Sequence, residues 1–147
     1  MGKLIFSLLM FGLFCTGVNE LYAQCACKTL PGSRKYKPHE ALKTSDVVFT
    51  GEIVEIQKGS TPIEENIKFR IKSVWKKDVG ETIILRTYKR SCAGFTGKVG
   101  DKLLIYAYKD NKILTTNYCT RTRLLANATE DLREFEQKGE NPIKVYE

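Results

Sequence analysis

Cys25 and Cys27 stand one residue apart near the start of the chain, and the next two cysteines, Cys92 and Cys119, stand far down it. No other feature of the 147 residues restricts the fold as strongly. Joining Cys25 to Cys27 would close a very tight, strained ring, because successive side chains of an extended segment point to opposite sides. Both other connectivities send the two neighbouring cysteines to two distant parts of the chain. Each such bond closes a long loop and stabilises the fold by about 4 kcal/mol on the chain-entropy view. The segment that carries Cys25 and Cys27 is then held rigidly where a terminus would otherwise fray, which points to a task for that segment.

An even set of cysteines in a domain of this size implies an oxidising compartment, and residues 1–24 agree with that. Lys3 gives a positive start, residues 4–15 form an apolar run that contains the fifth cysteine, Cys15, and a more polar stretch follows with the small residue Ala23 near its end. This is the pattern of a secretory signal peptide. The apolar run is shorter than the roughly 20 residues that span a bilayer, and the residues before Cys15 and Cys25 make poor lipidation sites. The expectation is a removed leader at 1–24 and one domain at 25–147, without a membrane anchor, secreted or periplasmic according to the cell envelope. Removing Lys3 and Glu20 takes one charge of each sign from the 24 basic and 17 acidic side chains, so the net charge stays +7. Such a surface suits acidic glycans or acidic protein faces, and export argues against nucleic acid.

Down the chain, Pro38–Thr44 reads as a short helix after a loop at 31–37. Five strands follow, at 47–56, 67–75, 82–88, 103–108 and 112–116. The second is the clearest, with Ile67, Phe69 and Ile71 alternating against Lys68, Arg70 and Lys72. Gly59-Ser60-Thr61-Pro62, the stretch 78–80 and Asp110-Asn111 mark turns, and residues 91–100 form a polar, glycine-containing loop that carries Cys92. Asn127 with Glu130 makes a capping-box helix start, and Leu132 with Phe135 gives that helix one apolar face. The expected fold is all-β with flanking helices, a five-stranded Greek-key barrel of the OB type.

Little here suggests catalysis. His39 is the single histidine, beside Pro38 and Glu40, and there is no Gly-x-Ser-x-Gly elbow. The cysteines lack the paired Cys-x-x-Cys spacing of a zinc site, so neither a metal nor a cofactor of the protein's own is expected. Basic and aromatic residues interleave in Lys68-Phe69-Arg70 and Tyr88-Lys89-Arg90, which a single-stranded nucleic acid could use, although an ordinary charged strand face explains them as well.

Cys25-Ala26-Cys27, Ser45-Asp46-Val47-Val48-Phe49-Thr50-Gly51, Val74-Trp75-Lys76, Ser91-Cys92-Ala93-Gly94-Phe95, Gly100-Asp101-Lys102-Leu103-Leu104-Ile105-Tyr106 and Cys119-Thr120-Arg121-Thr122 together resemble the netrin-like module of the tissue inhibitors of metalloproteinases. The resemblance covers nearly all of 25–147. It implies disulfides Cys25–Cys92 and Cys27–Cys119. It also implies that Cys25, as the mature N-terminus, chelates the catalytic zinc of a metalloendopeptidase through its α-amine and carbonyl oxygen, filling the position such zinc keeps for water. Ala26 then enters the protease specificity pocket, in place of the family's larger hydroxyl residue, and Cys27 completes the inhibitory contact. The third disulfide of the module and the disulfide-rich region beyond it in the animal inhibitors have no counterpart in this sequence.

The mechanism turns on where the leader is cut. Cleavage after Gln24 frees the Cys25 amine. Cleavage after Ala23, which places small or apolar Ala23 and Leu21 at the positions signal peptidase reads, leaves that nitrogen an amide without a lone pair for zinc. In the second case the fold implies a non-inhibitory binding module that recognises an acidic glycan or protein partner through its basic surface.

Overall fold

The computed structural model describes residue 27, residues 29–89 and residues 94–147. The leader 1–24, Cys25, Ala26 and Cys92, and with them the Cys25–Cys92 bond, lie outside the described residues.

Helix α1 (Pro38–Thr44) precedes the strands β1 (Val47–Lys58), β2 (Glu64–Lys76), β3 (Thr82–Tyr88), β4 (Lys102–Asp110) and β5 (Ile113–Thr115). A short strand β6 (Arg123–Leu124), a 3-10 turn (Leu125–Asn127), helix α2 (Thr129–Gln137) and strand β7 (Lys144–Val145) complete the order. The sheet runs β1-β2-β3-β5-β4, and β4 pairs back onto β1, so five strands close a barrel. All these pairings are antiparallel except β3 with β5, which is parallel and, among the described residues, rests on the register pair Arg86 with Thr115. The expected all-β, OB-type barrel with flanking helices is thus the observed fold.

Pro38 opens α1 where its missing N–H costs nothing, and Glu40 reaches back to accept from the Lys37 N–H at 3.2 Å. Ser45 ends it, both its N–H and its hydroxyl bonding Ala41 O. Strand β1 bends at Gly51, where the register with β2 shifts. A Cβ there would lie 2.8 Å from the Arg70 carbonyl oxygen. Both edges of β1 are paired, one with β2 and the other with β4.

Inside the barrel, Phe49, Ile53, Ile67, Phe69, Leu85 and Ile105 form the main core, with Phe49 and Phe69 edge to face at 5.6 Å. Each such side chain contributes roughly 1.5–3 kcal/mol on burial. A second core lies outside it, where Val48, Leu104 and Tyr106 turn from the strands to meet Ala41 and Leu42 of α1 and Phe135 of α2. Alternation alone sets Val48 on the polar side of β1. It is fully buried because the two helices cover that face.

Strands β1 and β4 run longer than the sequence reading, to Lys58 and over Lys102–Asp110, and three further boundaries differ for local reasons. Strand β2 starts at Glu64 rather than at residue 67, because Glu64 and Glu65 are buried as partners of Arg86 (2.9 Å) and Lys89 (2.8 Å). Strand β5 loses Lys112 to the hairpin turn, where Asn111 and Lys112 take φ of 49° and 70°. Helix α2 is capped by Ala128, not Asn127, and no side chain caps it. Ala128 is fully buried against the second core, and Glu130 faces Arg121 at 3.6 Å instead of closing a capping box.

Candidate functional site

A disulfide joins Cys27 to Cys119 across a sequence separation of 92, the pairing that the resemblance implies. It fixes the start of the described chain against the turn between β5 and β6. The attachment is continuous. The Arg34 N–H donates to Cys119 O at 2.9 Å, Ser33 forms a β-bridge with Thr120, and the Arg121 N–H donates to Gly32 O at 2.8 Å. The Arg34 guanidinium also reaches Cys27 Sγ at 3.3 Å. Gly32 makes the close approach possible. Its φ is +68°, and a Cβ would crowd Ser45 Oγ and lie 3.0 Å from Tyr106 Cβ.

Beneath this segment the turn is held by short polar side chains. Asn117 Oδ1 accepts from the Cys119 N–H at 2.9 Å, and its amide donates to the Tyr108 hydroxyl at 2.7 Å. The Thr116 hydroxyl bonds those of Thr120 and Thr122, the hydroxyls of Thr116 and Thr122 reach the Tyr106 carbonyl, and that of Thr120 donates to Asn117 O. Deeper still, Arg121 forms a two-pronged pair with Asp131 at 2.8 and 2.9 Å and donates to Tyr36 O at 2.9 Å. Asp131 has no exposed surface and also accepts from the Tyr106 hydroxyl at 2.6 Å. This buried carboxylate thereby ties α2, β4, the β5–β6 turn and the N-terminal segment together. The bond to Asp131 holds the Arg121 guanidinium even more firmly protonated than usual. Burial, followed by the Asp131 charge, pushes the Tyr106 phenol far above its ordinary range.

Tyr118 flanks Cys119 and remains about half exposed, at 47%, yet it is restrained at both ends. Its N–H donates to Gly94 O at 2.8 Å, and its hydroxyl bonds that of Thr96. Both partners, Gly94 and Thr96, come from the described stretch that begins at residue 94. Sequence reading passed over Tyr118 and Arg34. Their signal was adjacency to Cys119 in one case and a basic residue soon after Cys27 in the other, both too common to stand out.

The other candidate residues lie elsewhere. His39 joins the helices: its N–H donates to Glu134 at 3.1 Å, and Nδ1 lies 3.4 Å from Glu140 Oε1. Phe69 is fully buried in the barrel, so Lys68 and Arg70 flank no stacking ring, which removes the nucleic-acid reading of that stretch. Lys89 is bound to Glu65, and Arg90 lies outside the described residues. Among the described residues no cluster of histidine, cysteine or carboxylate side chains is arranged to hold a metal ion, and no helix is long and apolar enough to cross a membrane. No protein-family model matches the chain, and no curated protein matches it.

Proposed function

We propose that the mature protein is an exported inhibitor of zinc endopeptidases that acts through its N-terminal cysteine, Cys25. The observation that carries this reading is the Cys27–Cys119 disulfide with the Ser33–Thr120 bridge behind it. Two residues after Cys25 the chain is already locked to the barrel, so an amine and carbonyl at Cys25 would meet a metal with little ordering left to lose. Ala26 takes the pocket mouth in this mechanism, and Tyr118, next to Cys119 in the chain, supplies an aromatic anchor.

The test is inhibition of a panel of zinc endopeptidases by protein whose N-terminus has been sequenced and begins at Cys25. Inhibition that disappears on acetylating the Cys25 amine, with the circular dichroism spectrum unchanged, is the expected result. A folded protein with a verified Cys25 terminus that inhibits none of the panel overturns the proposal.

A second reading is carried by the outer face of β2. Lys68, Arg70 and Lys72 alternate along it, none in an ion pair with a described residue, and a cleft of about 280 Å³ nearby brings Lys102 to Arg70 and Lys72. An acidic glycan or protein face would suit this stripe, although Glu52 and Glu147 line the same cleft. Binding of that kind weakens steeply with added salt, whereas zinc chelation backed by a packed interface responds far less.

A further inference from the structure

A separate cleft of about 260 Å³ opens on the outside of the barrel where β3 meets β5, lined by Arg86, Tyr88, Asp110, Asn111, Ile113 and Thr115. These residues come from three strands and a turn whose positions are fixed. Thr115 faces Arg86 across the parallel pair and Tyr108 across the antiparallel one, and Ile113 faces Asp110. Arg86 Nε lies 2.9 Å from a carboxylate oxygen of Glu64 as an ion pair, and Glu64 is itself only 7% exposed. Asp110 lies close enough to the half-buried Tyr108 that, after burial, its charge is the next cause raising that phenol's pKa.

The chemistry of the lining selects among ligands. An anion would meet the Asp110 carboxylate, while Glu64 already balances Arg86. A cation would have only the Asp110 carboxylate to pair with, and the Arg86 guanidinium lines the same cleft. A neutral polyhydroxylated ring meets neither conflict, because each hydroxyl both donates and accepts. The carboxylate accepts, the guanidinium donates, and the Asn111 amide and Thr115 hydroxyl do both. The ring of Tyr88 and the exposed Ile113 offer apolar surface for the C–H face of such a ring. The volume falls below the roughly 300–1,000 Å³ of sites for drug-sized ligands, which suits one ring rather than several.

We propose that this cleft binds a single neutral sugar residue of a glycan. The site shares no residue with the Cys27–Cys119 edge and does not depend on protease inhibition.

A panel of neutral and sulfated glycans, followed by amide NMR titration with the methyl glycosides of the retained sugars, tests it. Expected are retention of neutral glycans that persists in high salt, shifts centred on Tyr88, Asp110 and Asn111, and about tenfold or greater weakening in both Tyr88→Ala and Asp110→Asn, equivalent to at least about 1.4 kcal/mol. Unchanged thermal midpoints in the two variants keep the comparison clean. Retention of sulfated glycans alone, equal binding by the variants, or no neutral sugar bound at millimolar concentration each overturns the proposal.

Discussion

The hydroxyl of Tyr106, on β4, donates to the carboxylate of Asp131, in the first turn of α2, at 2.6 Å with both side chains fully buried. The same carboxylate receives Arg121. Burial first, and then the negative charge of Asp131 beside it, raise the folded-state pKa of the phenol above the ordinary value of 10.0. A raised pKa of this kind contributes stability that is fully present below the unfolded value and declines as pH climbs past it. Chemical denaturation followed across alkaline pH should show stability falling from about pH 10 upward, near the reference tyrosine value. Tyr106→Phe should lose about 1–3 kcal/mol at neutral pH, by leaving part of the Asp131 acceptor capacity unfilled, and should show a shallower alkaline decline.

Removing the cross-link from residue 27 to residue 119 should loosen the edge more than the barrel. The double variant Cys27→Ser with Cys119→Ser gives up the restraint of a loop spanning 92 residues and should be less stable by about 2–4 kcal/mol. Amide exchange in β1 to β4 should retain its ranking, while the amides of Ser33, Arg34 and Arg121 should exchange much faster. Uniform acceleration throughout would show that the bond supports the whole domain.

Gly32→Ala tests the close packing behind that edge. The substitution demands a Cβ at φ +68° against Ser45 and Tyr106, and neither neighbour has space to yield, since both are buried. A loss of about 1–3 kcal/mol is expected in thermal unfolding. Gly139→Ala, which also has positive φ but open space around it, should cost less, because only the backbone penalty applies.

Tyr118→Ala bears on the proposed inhibition. The ring is about half exposed, so its removal should alter stability by no more than about 0.5 kcal/mol. If it is a preorganised anchor, the inhibition constant should rise about thirtyfold, the equivalent of roughly 2 kcal/mol. An unchanged constant would remove Tyr118 from the contact surface.

The barrel was legible because Ile67, Phe69 and Ile71 alternate cleanly and face a common interior. Helix α1 was legible because Pro38 announces its first turn. The second core was not, since the burial of Val48 depends on helices contributed by residues far away in the sequence. Glu64 and Glu65 read as loop because a carboxylate is rarely placed inside a sheet, and only Arg86 and Lys89, one strand away, make them tolerable there. The Asp131 cluster was hidden for the same reason: Tyr36, Tyr106, Arg121 and Asp131 carry no shared spacing and meet only in the fold. Of the candidate edge, the cysteines were visible and their support was not.

The closure of β3 onto β5 has a mechanical consequence. Among the described residues every other seam of the barrel is sewn by several paired positions, but this one rests on Arg86 opposite Thr115. A cylinder joined so lightly along one line has a built-in place to part, and brief opening motions should begin there while β1 and β2 remain zipped. A ligand seated across Arg86 and Thr115 would act as a rivet, raising the energy of the first breach and slowing exchange well beyond the residues it touches.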